Sequence, residues 1–146
     1  MKFLADEDTT WTELLDRLNE LGLEYGCSFH PFPRPYRGRG TPDEEVPEIC
    51  NREGAKALLT INYRDFARHL VYYHALMNAG VSAIVLRQPN PITDIPDVDY
   101  QVALMHPRLR NIVRRLERTD EPLLFVINKS GVRTNRLQEL IDRFST

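Results

Sequence analysis

Apolar and polar residues in this chain fall into short blocks that alternate between strand-like and helix-like spacing. Phe3-Leu4-Ala5 is a compact apolar run of the kind a buried strand carries. Thr9 and Thr10 then offer N-caps for a helix with Trp11, Leu14, Leu15, Leu18 and Leu21 as its apolar positions and Gly22 at its end. Residues 23–32 read weakly as a second strand, which Pro31, Pro33 and Pro35 interrupt. Thr41-Pro42-Asp43-Glu44 has the marks of a helix start: Thr41 as cap, Pro42 in the first position and Glu44 closing a capping box. That helix is expected to run to about Gly54. Lys56 to Ile61 reads as a strand, and Tyr63 to Ala79 as a helix with Phe66, Leu70, Tyr73 and Met77 on one face. Gly80 ends it, and Val81 to Leu86 is a β-branched strand. Residues 88–99, with Pro89, Pro91 and Pro96, read as a connection. Tyr100 to Arg118 is a long amphipathic pattern carrying Val102, Met105, Leu109, Ile112, Val113 and Leu116, with Pro107 placed to divide or kink it. A strand over Glu121 to Asn128, a turn at 129–131 and a last helix through Leu137, Leu140, Ile141 and Phe144 complete the series.

Repeated strand–helix alternation predicts an α/β fold, a three-layer α/β/α sandwich with a mostly parallel central sheet. One domain over residues 1–146 is expected, since no repeat, low-complexity tract or boundary divides the chain. At 146 residues it is long enough to bury about two thirds of its unfolded surface. The net charge of −2 gives no global basic field. Cys27 and Cys50 fit neither a disulfide framework nor a zinc spacing, which points to buried or idle thiols. No apolar stretch approaches the roughly 18 residues of a membrane span, and the N-terminus lacks the layout of a signal peptide. A cytoplasmic protein with no membrane partner is the expectation. His30, His69, His74 and His106 are scattered, and the five-residue gap between His69 and His74 puts them off a common helical face.

The chemistry is concentrated where strands end. The first strand runs straight into Asp6-Glu7-Asp8, and the strand at 56–61 into Asn62 and Asp65. If these strands are neighbours, Asp6, Asn62 and Asp65 share the C-terminal sheet edge, where α/β proteins usually bind ligands. Asp43 and Glu44 could face the same crevice. Such oxygen donors suit Mg²⁺ or Mn²⁺, which activate water for attack on a phosphodiester. The same residues admit plainer readings: the acids at 6–8 as helix caps, Asp43 and Glu44 as parts of the capping box, Asp65 as an N-terminal helix charge. Arg34, Tyr36, Arg37 and Arg39 form a basic Gly/Pro-rich loop, which either grips RNA phosphates while the ring stacks on a base or is a solvated connector. Arg108, Arg110, Arg114, Arg115 and Arg118 read as a solvent-exposed basic face.

These segments also resemble a family. Lys2-Phe-Leu-Ala-Asp6-Glu7-Asp8 resembles the K-F-L-x-D-E-N opening of small, mainly prokaryotic PIN-like proteins. Asp43-Glu44-Glu45-Val46 is similar to their D-E-E-I segment, Leu58 to Phe66 to their L-V-T-x-D-x-D-F motif, and Gly80 to Arg87 to their G-V-x-x-L-R strand. The match runs in order over residues 1–87; beyond them agreement is general. The resemblance implies a PIN-like fold and metal-dependent (Mg²⁺ or Mn²⁺) endoribonuclease activity, often as the toxin of a toxin–antitoxin pair, with an antitoxin protein and a homodimer as partners. It assigns Asp6, Asp43 and Asp65 as the catalytic, metal-binding acids. Asn62 stands where the family has aspartate, keeping an oxygen but removing one negative charge. Asp8, where the family more often has asparagine, could restore that charge. The alternative is a catalytically degenerate PIN-like module that binds RNA or a protein partner without cleavage. A flavodoxin-like domain that accepts phosphate on an aspartate ranks third.

Overall fold

The central strands are apolar on both faces, so each face must be covered by helices. The computed structural model describes residues 1–37, 41–67, 69–88 and 97–145, and for Asp43 and Asp65 the backbone alone. Its sheet contains β1 (Lys2–Ala5), β2 (Ser28–His30), β3 (Ala57–Thr60), β4 (Ser82–Leu86), β5 (Leu123–Asn128) and β6 (Gly131–Arg136). Their spatial order is β2-β1-β3-β4-β5-β6. All pairings are parallel except that of β5 with β6. The helices are α1 (Thr12–Gly22), α2 (Val46–Arg52), α3 (Tyr63–Phe66), α4 (Leu70–Ala79), α5 (Val98–Met105), α6 (Leu109–Arg118) and α7 (Leu137–Phe144). The expected three-layer α/β/α architecture with a mostly parallel sheet is present.

Strand alternation divides the core in two. Phe3, Ala5, Leu59, Ile84, Leu86 and Phe125 pack on one face with Leu14 and Leu18 of α1, Val102 of α5 and Ile112 of α6. Leu4, Leu58, Val85, Leu124 and Val126 pack on the other with Ile49 of α2, Leu76 of α4 and Leu140 of α7. The layers fix the sense of each crossover. The β1–β2 connection moves one way along the sheet over the α1 face. The β2–β3 and β3–β4 connections move the opposite way over the other face, which gives the same hand. The β4–β5 connection continues in that second direction but passes over the α1 face, so its hand is reversed, an uncommon arrangement. Ile84, Leu86, Phe125 and Ile127 on that face are buried with Val102 of α5 and Ile112 of α6.

Several expected boundaries shift. The weak strand at 23–32 shortens to β2, preceded by a 3-10 turn at Leu23–Tyr25 and by Gly26 in the left-handed region at φ 68°. The helix expected from Thr41 begins instead as a 3-10 turn at Asp43–Glu45 and becomes α2 at Val46. Thr41 Oγ1 donates to the Tyr36 carbonyl, 3.3 Å away. The helix expected over 63–79 is two helices, α3 and α4. Pro107 divides 98–118 into α5 and α6, as its missing N–H predicts. The polar edge strand β6, not anticipated from sequence, completes a hairpin in which Asn128 Oδ1 accepts the Ser130 and Gly131 amides at 2.8 and 3.1 Å. The connection at 88–99 lies largely outside the described residues. Phe66, Tyr73, Val102 and Ile112, on the apolar faces of the 63–79 and 100–118 segments, are buried within the chain's own core. Among the described residues no helix is long and apolar enough to cross a membrane.

At Gly22 the chain leaves α1 with its Cα against the Cys27 carbonyl, and a Cβ there would collide with that oxygen. Gly22→Ala is expected to destabilise the protein by about 1–3 kcal/mol, because the obstacle is backbone and the overpacked turn must move. Urea denaturation checks this; an unchanged midpoint would show that the turn relaxes freely.

Candidate functional site

The parallel order places the ends of β1, β2 and β3 at one edge. The chain leaves β1 towards β2 on one side and later returns to β3 on the other, so a topological switch point lies between β1 and β3. Asp6, directly after β1, occupies this point with 5% of its surface exposed. Its amide donates to the Leu59 carbonyl of β3 at 3.0 Å. Thr60, the last residue of β3, donates its hydroxyl to Asp6 Oδ2, and Thr9 donates its own to Oδ1.

The two hydroxyls also tie down backbone. Thr9 Oγ1 accepts the Ile61 amide at 3.1 Å, and Thr60 Oγ1 accepts the Asn62 amide at 2.9 Å. Thr10 performs the same double role towards the third strand end: its hydroxyl donates to the Asp6 carbonyl at 2.8 Å and accepts the Phe32 amide at 3.0 Å. Three threonines thus fasten the exits of β1, β2 and β3 around one carboxyl group. The helix-cap readings give way here. Asp6 makes no side-chain cap contact, Thr9 closes a 3-10 turn over Glu7–Thr9, and α1 starts only at Thr12 with Trp11 before it. Thr9 and Thr60 went unrecognised as site residues because a threonine beside a strand end carries no distinguishing local pattern.

Burial dominates the electrostatics. Removal from water pushes the Asp6 carboxyl up from 3.8 to about 6, against the two threonine hydroxyls, which favour ionisation, and with a further upward push from Asp8. Cys50 lies within range of the same charge; burial first, and then Asp6, push its thiol up to about 12, so it is an inert core thiol. Cys27 is likewise buried and unpaired, its thiol pushed up by burial.

The other expected residues divide. Asn62 follows β3 at the same edge, half-buried, its amide held by Thr60. The side chains of Asp43 and Asp65, and all of Arg39, lie outside the described residues. Glu44 lines a depression between α2 and α4 with Glu48, Asn51 and His74. In the basic loop, Arg37 Nε donates to the Phe32 carbonyl at 2.6 Å, which holds the loop in shape. The Tyr36 ring rests against Phe32 at 6.0 Å, and Arg52 stands over it at 5.8 Å while donating to its hydroxyl at 3.4 Å. Tyr36 therefore serves packing, and Arg34 and Arg37 extend the edge into solvent on the exit of β2. Further along, Arg87 after β4 lies 4.2 Å from the Tyr63 ring centroid, a cation–π pair that the sequence reading passed over.

The donors at this edge are all oxygens: the Asp6 carboxyl, the threonine hydroxyls and the Asn62 amide. An ionised carboxylate has about four acceptor sites, and two of those on Asp6 hold hydroxyl protons, which leaves room for a hard cation. Among the described residues no group of three histidine, cysteine or acidic side chains gathers as a metal cage. Oxygen donors of this kind are the type that Mg²⁺ or Mn²⁺ takes. Set against family models, curated proteins and solved structures, the chain matches none of them.

Proposed function

We propose that this chain is a PIN-like, metal-dependent endoribonuclease, the toxin of a toxin–antitoxin pair. The observation that carries this reading is Asp6: a carboxyl buried at a topological switch point, held at both oxygens and shifted to about 6. A buried carboxyl with a strongly perturbed pKa at a sheet edge is a functional-site candidate. In this reading Asp6 is the anchor for Mg²⁺ or Mn²⁺, with Asp43 and Asp65 as the remaining acids and Asn62 as a neutral oxygen donor. Bound there, the ion supplies a Lewis acid and lowers the pKa of a coordinated water. Thr9 and Thr60 fix the orientation of the carboxylate, and Arg34 and Arg37 draw the RNA backbone towards the edge. Proton competition sets the pH dependence. Below about pH 6 Asp6 takes up a proton, and cleavage is expected to fall with it.

The test is cleavage of end-labelled RNA with Mn²⁺, with EDTA as control, by wild type, Asp6→Asn and Asn62→Asp. Wild type is expected to cut and Asp6→Asn to be silent. Asn62→Asp is expected to cut about tenfold faster, because the added charge strengthens cation binding by roughly 1.4 kcal/mol. Asn62, which removes one negative charge from the edge, favours a second reading: a module that binds RNA or a protein without cutting. Silence from all three proteins, with RNA retained in a gel shift, would replace the first reading by the second.

A further inference from the structure

A cavity of about 310 Å³ opens between the α3–α4 segment and the β6–α7 segment, away from Asp6. Its wall includes Tyr63, Tyr73, Arg133, Asn135, Arg143 and Phe144. Its position is set by register. Arg133 on β6 pairs with Val126, Val126 with Val85 and Val85 with Thr60, so one row across the sheet joins Arg133 to the strand end that holds Asp6. Three strand spacings of roughly 4.8 Å put the two about 14 Å apart. Val126 belongs to the α2–α4–α7 face, and Arg133, directly opposite it, shares that face.

The wall is selective in charge. Two guanidinium groups line it and, among the described lining residues, no carboxylate does. Arg133 forms no ion pair among the described residues. Arg143 pairs with Glu139, 3.2 Å away on the same helix. Asn135 adds amide donors and acceptors. Beside these polar groups Phe144 leaves 58% of its surface in water, its ring centroid 6.2 Å from that of Tyr73. An exposed aromatic ring in one wall with two arginines suits a ligand with a flat apolar part and an anionic part.

We propose that this cavity is a nucleotide subsite, in which Arg133 and Arg143 hold a phosphate and the Phe144 ring stacks on the base. Guanidinium groups match phosphate oxygens in geometry as well as charge, and aromatic stacking on a base tolerates any sequence. In taking the nucleotide as part of an RNA strand that reaches from Asp6, the inference rests on the nuclease reading. The binding itself needs no metal and no Asp6.

The experiment is calorimetric titration of the full chain, in EDTA and moderate salt, with adenosine 5′-monophosphate, inorganic phosphate and adenosine. The monophosphate is expected to bind, and both fragments to bind more weakly. Arg133→Gln is expected to weaken the monophosphate about tenfold and Phe144→Ala about fivefold, in line with the loss of a charged hydrogen bond and of a stack. Arg115→Gln, on the exposed surface of α6 in the opposite layer, is expected to change nothing. Absence of binding overturns the assignment, as does equal weakening by Arg115→Gln or phosphate binding as tightly as the nucleotide. Asp6→Asn separates the two readings. If no RNA is cut but this variant and the wild type bind the monophosphate, the subsite stands and the nuclease falls. If RNA is cut and the monophosphate is ignored, the reverse holds.

Discussion

Replacing Asp6 by asparagine is expected to make the folded chain more stable at pH 7.5 and, under the proposed function, to abolish metal-dependent cleavage. Loss of activity follows from losing the anchoring charge, and at least a hundredfold fall in rate is expected. The gain in stability follows from linkage. The folded-state value of about 6 lies above the ordinary 3.8, so between those pH values the folded protein holds more protons than the unfolded chain. Stability therefore falls as pH rises from about 4 to about 6 and is level above that. The whole shift corresponds to roughly 3 kcal/mol as an upper figure. The asparagine variant does not titrate. Its advantage is expected to be absent below pH 4, to grow through this window and to reach about 2 kcal/mol at pH 7.5, some 5 °C in Tm. Guanidinium denaturation at pH 4 and pH 7.5 reads both ends. A variant less stable than wild type at pH 7.5 would mean that the threonine hydroxyls outweigh the burial of the charge.

Thr60→Val should act in the opposite direction. Valine matches threonine in shape, so the loss is that of the hydroxyl alone. Asp6 Oδ2 loses a donor and the half-buried Asn62 amide loses its acceptor. A hydrogen bond to a charged group contributes about 1.5–3 kcal/mol, and an orphaned amide adds about 1 kcal/mol more. The expected loss is about 3 kcal/mol at pH 7.5 and about half that at pH 4.5, where Asp6 carries a proton. Thr60→Ser, which keeps the hydroxyl, should recover most of it. Full stability in the valine variant would show that the hydroxyl contributes nothing.

The features legible in the sequence were those that a repeating apolar pattern imposes. β1, β3, β4 and β5 are runs of buried residues whose surroundings allow no other conformation, and α1 and α7 have a single apolar stripe each. Pro107 announced its break through chemistry that acts locally. β6 was missed because Gly131–Arg136 is a polar edge strand, stabilised by pairing with β5 rather than by its own pattern. The helix over 63–79 was read as continuous because Phe66, Leu70 and Tyr73 keep a helical spacing across the break. At the site, Asp6 was legible from its position after an apolar run. Its partners were not, since Thr60 meets it across 54 residues of sequence and is identified by strand order alone.

The insertion of β1 between β2 and β3 also has a kinetic side. The β5–β6 hairpin is local and can close in microseconds, whereas the β1–β3 pairing must first close a loop of more than fifty residues. Until β3 docks, β1 presents a bare edge, and Asp6 stands there hydrated and ionised at neutral pH. The energetic penalty of burying its charge thus falls on that one late step. Under the proposed function, a nascent or half-folded chain is harmless: the activity arrives together with the closing of the sheet.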